Sequence, residues 1–109
     1  MKNDFETDPY GTRRWYQNHQ LLHRTDGPAI EWVSGNKYWY QNGQRHRTDG
    51  PAIEYANGTK AWYQNDKLHR TDGPAVEWVS GNKSWYIDNI EYTEEEFREY
   101  QLIIKLAKI

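Results

Sequence analysis

Histidine, aspartate and arginine recur along this chain at a fixed spacing. The run His-Arg-Thr-Asp-Gly-Pro-Ala occupies residues 23 to 29, 46 to 52 and 69 to 75, so each copy sets an imidazole, a guanidinium and a carboxylate within four positions. Metal ligation and acid/base catalysis are the first chemistries such residues suggest. The period argues against both. Equivalent residues of successive hairpins lie two strands apart, about 10 Å, whereas ligands on one zinc sit about 2 Å from the metal. His23, His46 and His69 therefore cannot share an ion in a regular sheet, and neither a metal nor a cofactor is expected. A His/Asp site within one repeat would occur three times, which suits turn architecture better than an active site, and the chain is expected not to be an enzyme. On that reading Asp26, Asp49 and Asp72 form Asx-type turns and the histidines bond local backbone. Gly27, Gly50 and Gly73 supply unusual backbone angles, and each following Pro starts a strand.

Arg24, Arg47 and Arg70 form a second ladder beside those histidines. Spaced guanidinium groups could hold an acidic protein surface or a phosphate-bearing small molecule. The competing and preferred reading is pairing with the Asp of the same or a neighbouring repeat, a solvated network worth little per pair.

Self-similarity at this period means that one supersecondary unit is copied in tandem. Trp-Tyr-Gln-Asn at 15, 39 and 62 and its degenerate form at Trp85 repeat at intervals of 24, 23 and 23. The extra residue of the first interval lies between Asn18 and His23, which marks a loop. Within each unit Ser34-Gly35, Asn57-Gly58 and Ser80-Gly81 mark one hairpin turn, and Asn42-Gly43, Asn65-Asp66 and Asp88-Asn89 a second. The result is an antiparallel β-hairpin meander, an all-β repeat fold.

If Ser34-Gly35 is a two-residue turn, Ile30 faces Trp39 and Glu31 faces Tyr38. The core face then carries Ile30, Trp32 and Trp39 and their counterparts Ile53, Tyr55, Trp62 and Val76, Trp78, Trp85. The opposite face carries the tyrosine ladder Tyr16, Tyr40, Tyr63 and Tyr86, flanked by Glu31, Glu54 and Glu77. That half-exposed face is the preferred binding surface, because tyrosine combines large contact area, few rotors and a polar tip.

Residues 1–14 read as a lead-in, 15–92 as about three and a half repeats, and 93–109 as one C-terminal helix that caps the sheet. Thr93-Glu94-Glu95-Glu96 is a capping box, with Tyr92 and Phe97 as its hydrophobic staple. Phe97, Tyr100, Ile103, Ile104 and Ala107 make one apolar stripe expected to lie on the last hairpin. Leu102 and Leu106 fall outside the stripe and are a candidate homodimer contact.

The run Trp39-Tyr40-Gln41-Asn42-Gly43-Gln44-Arg45-His46, followed by Gly50, an apolar strand, Asn57-Gly58 and Trp62, resembles the MORN repeat over residues 15 to 92. It departs after the His, where Arg-Thr-Asp-Gly-Pro-Ala intervenes. In that respect it is similar to the variant form of bacteriophages and large DNA viruses and, more loosely, to MORN-variant antitoxins. The resemblance implies a binding scaffold without shared catalytic residues: a phage or viral accessory protein that binds and inhibits a host protein, such as one of antiviral defence. The alternatives are a sequestering protein for a nucleotide-like small ligand and an antitoxin-like neutraliser.

Composition narrows the remaining classes. Fourteen basic and sixteen acidic residues give a net charge of −2, which makes nucleic acid an unlikely partner because phosphate backbones draw on an excess of cations. No cysteine is present, so neither disulfides nor thiolate metal sites form. Without an apolar leader or membrane span, the expectation is a cytoplasmic protein, in the host cytoplasm if viral, with no membrane partner. At 16% aromatic, rings must supply most of the buried area.

Overall fold

The computed structural model describes residues 3–108, and alternating hairpins account for all but its last turn-and-helix segment. In chain order the strands are β1 (Asn3–Thr7), β2 (Arg13–Gln17), β3 (Leu21–Leu22), β4 (Ile30–Glu31), β5 (Lys37–Tyr38), β6 (Tyr40–Gln41) and β7 (Gln44–Arg45). They continue as β8 (Ile53–Glu54), β9 (Lys60–Ala61), β10 (Tyr63–Gln64), β11 (Lys67–Leu68), β12 (Val76–Glu77), β13 (Lys83–Ile87) and β14 (Ile90–Tyr92), before the helix α1 (Glu94–Ala107). The main sheet runs β1-β2-β4-β5-β8-β9-β12-β13-β14, with β3 beside β2; β6-β7 and β10-β11 form separate small ribbons. All pairings are antiparallel. The fold is the antiparallel hairpin meander with one C-terminal helix that the repeat implies.

The register differs from the expected one by a single residue. Ile30 pairs with Tyr38 and Glu31 with Lys37, not with Trp39 and Tyr38. The cause is the turn: Gly35 N–H donates to Trp32 O at 2.9 Å and Trp32 N–H to Asn36 O at 2.9 Å, with Gly35 at φ +97°. This is a three-residue loop in which glycine is the left-handed bulge residue, not half of a two-residue turn. A slip of one residue moves every side chain to the other face. The tyrosines therefore join Ile30, Ile53 and Val76, while Trp39, Trp62 and Glu31, Glu54 and Glu77 lie on the opposite face.

The core is correspondingly thin and divided. Ile53, Ala61 and Val76 form a buried row on which Tyr38, Tyr63, Leu68 and Tyr86 pack. Ala29, Ala52 and Ala75 are 0% exposed, and their carbonyls accept from Trp15, Trp39 and Trp62 N–H respectively. Across the sheet, Arg13, Glu31, Lys37, Glu54, Lys60, Glu77 and Lys83 pair strand to strand, so the charge sign alternates at each step. Opposite charges directly across strands support the register.

The second turn has the expected form. Asn42-Gly43, Asn65-Asp66 and Asp88-Asn89 all have φ between +47° and +79°, as a two-residue hairpin of the I′ kind requires. The extra residue of the first copy is a loop insertion: Gln17 pairs with Leu21, leaving Asn18, His19 and Gln20 outside the ladder.

Residues 3–14 are not a lead-in. β1 pairs along its whole length with β2, from Asn3 with Gln17 to Thr7 with Arg13. Gly11-Thr12 is a copy of Gly58-Thr59, and both threonines are buried. Thr12 Oγ1 accepts from Val33 N–H at 3.1 Å and Thr59 Oγ1 from Val79 N–H at 3.0 Å, while Asn36 Oδ1 accepts from Ala56 N–H at 2.8 Å. Each turn is thus tied to the next by the residue that follows its glycine.

α1 begins as expected. Thr93 Oγ1 accepts from Glu96 N–H at 3.1 Å and Glu96 Oε1 from Thr93 N–H at 2.8 Å, closing the capping box. The buried stripe differs: Phe97 is 2% exposed, with Tyr100, Gln101 and Ile104 half-buried, but Ile103 is 67% exposed and Ala107 is also exposed. Gln101 takes the extra place because its Nε2 donates to Thr71 O at 3.0 Å. The helix packs on β13 and β14, where Tyr92 and Phe97 both meet the Tyr100 ring.

Candidate functional site

The arginine ladder is built into the protein. Arg24, Arg47 and Arg70 each lie over a tryptophan of their own repeat, with the guanidinium carbon 3.9, 3.9 and 3.8 Å from the ring centres of Trp15, Trp39 and Trp62. Nε of Arg47 donates to Asp49 Oδ1 at 2.9 Å, and one terminal nitrogen donates to Pro51 O and Glu54 Oε2, both at 3.0 Å. Arg24 and Arg70 repeat these contacts. The preferred pairing of Arg with Asp in the same repeat is therefore what the geometry gives, with a glutamate added.

Two expectations about this loop are corrected. Asp26, Asp49 and Asp72 spend a carboxylate oxygen on Arg Nε instead of closing an Asx turn; the bond to Arg24 and its positive charge hold the Asp26 carboxyl below its usual range. Nor do Gly27, Gly50 and Gly73 have positive φ. A Cβ on any of them would come within 2.9 Å of the guanidinium carbon of Arg24, Arg47 or Arg70. The missing Cβ leaves room for the guanidinium close to the backbone.

The histidines fasten one repeat to the next. Nδ1 of His23, His46 and His69 accepts from the N–H of Asn42, Asn65 and Asp88, at 3.0, 3.1 and 3.2 Å. The bonded backbone is thus the following repeat's turn and not the local chain. In the third copy the Asp88 carboxylate also lies 3.2 Å from Nδ1. Among the described residues no group of three His, Cys, Asp or Glu could hold a metal ion.

The tyrosine ladder lies on the aliphatic face and carries more aromatics than the four residues read from the repeat. Trp32 meets Tyr38 edge-on at 5.8 Å between ring centres, and Tyr38 meets Tyr55 at 6.3 Å. Arg45 lies 4.2 Å over the Tyr63 ring and is held by Asp66 at 2.6 Å. Burial raises the pKa of Tyr40 and Tyr63, against the lowering effect of Arg45. Tyr16, at the far end, is raised by burial and by its hydrogen bond to Glu6. Tyr16, Tyr40, Tyr63 and Tyr86 are all half-buried, whereas Tyr55 is 36% and Trp78 42% exposed. Glu31, Glu54 and Glu77 do not flank them; they bond the arginines.

Two signals in the sequence mark these arrangements. Every clamped Trp is followed by its Arg eight or nine positions later, and Thr or Asn follows each turn glycine at 11, 35, 58 and 81. Leu102 and Leu106 are exposed on α1. No described helix is long and apolar enough to cross a membrane. Comparison with known proteins finds no matching family model, curated protein or solved structure.

Proposed function

We propose that this chain is a non-enzymatic protein-binding module that meets its partner through the aromatic face of the sheet. One observation carries the reading. Trp32, Tyr38, Tyr40, Tyr55, Tyr63, Trp78 and Tyr86 share a face, and α1 makes its main packing contacts with β13 and β14. Rings of this kind contribute large contact area with few rotors and retain polar tips for orientation. The basic ladder offers less support for anion capture, since each guanidinium already has an aromatic ring, two carboxylates and a carbonyl. The resemblance to MORN repeats supports the same reading and suggests its finer form, a phage or viral factor that binds and inhibits a host protein.

Affinity capture with the wild type and with a Tyr55→Ser, Trp78→Ser double variant tests this. Both exposed rings leave the buried row intact, so circular dichroism should be unchanged. A partner retained by the wild type and lost by the variant is the expected result. A folded variant that keeps the same partner at the same level removes the aromatic face from consideration.

A further inference from the structure

The fourth tryptophan lacks the cover that the other three have. Counting 23 residues on from Trp62, Arg70 and Gly73 leads to Trp85, Thr93 and Glu96. The arginine has become the helix N-cap, and the glycine the third residue of α1. Among the described residues no cation lies over the Trp85 ring. Instead, a hollow of about 410 Å³ is bordered by Lys83, Trp85, Glu91, Tyr92, Thr93 and Glu96. Of the three members of the clamp only the tryptophan is kept; the start of α1 supplies the other two positions.

Arg47 bonds two carboxylates, Asp49 and Glu54; 46 residues on, those positions are Glu95 and Tyr100, so the acid beside the hollow comes from another position. Glu96 borders it and commits only Oε1, to the Thr93 amide. β13 is paired at Lys83 and Ser84 on the β12 side, while β14 reaches only Trp85 to Ile87. The chain edge beside the hollow is therefore open where a following hairpin would have paired. Earlier in the array that place is filled: β5 is paired by β8 and β9 by β12.

We propose that this hollow receives an arginine side chain from a partner protein, laid over Trp85 with Glu96 as its carboxylate. Three internal copies of the interaction define the chemistry. In each, a planar guanidinium stacks on an indole while its N–H groups diverge to two carboxylates, a geometry an ammonium cannot reproduce. None of the aromatic-face residues borders the hollow, so the assignment does not rest on that face.

The test is an NMR titration of the full chain with the capped tripeptide Gly-Arg-Gly, followed at the tryptophan Nε1–H signals and assigned by the one lost in Trp85→Phe. The Trp85 signal should move saturably at about 1–10 mM peptide, with Gly-Lys-Gly at least about threefold weaker. Glu96→Gln, which keeps an oxygen to accept from Thr93 N–H, should weaken arginine binding by about threefold or more. Equal responses to arginine and lysine, or a Trp85 signal that moves no more than the others, would overturn the proposal. Free arginine binding more tightly than the capped peptide would overturn the assignment to a partner's side chain.

Discussion

The guanidinium carbon of Arg47 lies 3.9 Å from the centre of the Trp39 ring, and so near Gly50 that a Cβ there would approach it to 2.9 Å. Gly50→Ala must therefore displace the arginine and forfeit the stack. The cost is expected to be about 1–2 kcal/mol, the net worth of a partly desolvated cation–π and charged hydrogen-bond set. In an Arg47→Ala background the same substitution should be neutral or stabilising by up to about 1 kcal/mol, because alanine restricts the unfolded chain. Denaturant unfolding of the four species checks this; additive costs would contradict that close approach.

Thr59→Val keeps the shape of a buried side chain while removing the acceptor for Val79 N–H. A loss of about 1 kcal/mol is expected. Amide exchange at Val79 should quicken more than exchange at Ala56, whose acceptor is Asn36.

Burial, the leading cause, raises the pKa of Tyr38, Tyr40 and Tyr63 above the ordinary tyrosine value. A group raised in the folded state contributes stability that is fully present below its unfolded pKa, about 10, and lost as pH rises through the folded value. The protein should therefore lose stability above pH about 10. An absorbance titration at tyrosinate wavelengths should show a late-ionising fraction that disappears in denaturant.

Thr93→Ala removes both the oxygen that accepts from Glu96 N–H and the reciprocal geometry of the capping box. About 1 kcal/mol of stability should be lost. Because Phe97 is buried through this helix end, the loss should be seen in unfolding of the whole chain and not only in helical signal.

For His23 and His46, Nδ1 is the acceptor for the next turn's amide. The neutral rings must then carry their proton on Nε2. Nitrogen chemical shifts of the imidazoles read the tautomer directly, and a proton on Nδ1 of either ring would contradict the inter-repeat tie.

The sequence by itself determined the period, the two turn positions in each unit, the loop insertion after Asn18 and the capped helix. Each depends on local backbone chemistry: Asn42-Gly43 tolerates the left-handed region, and Thr93 and Glu96 satisfy each other's amides. The arginine pairing was also legible, since Arg47 and Asp49 are two residues apart. Which face each side chain occupies was decided only by the tertiary structure. Gly35 meets the demand for positive φ equally in a two-residue turn and as the bulge of a three-residue loop, and the two differ by one residue of register. That residue transfers Tyr40 to the aliphatic face and Trp39 to the arginines. The roles of Gly50, His46 and β1 also required the fold, because each depends on what lies across a close approach or on the neighbouring strand, at separations that local propensity does not encode.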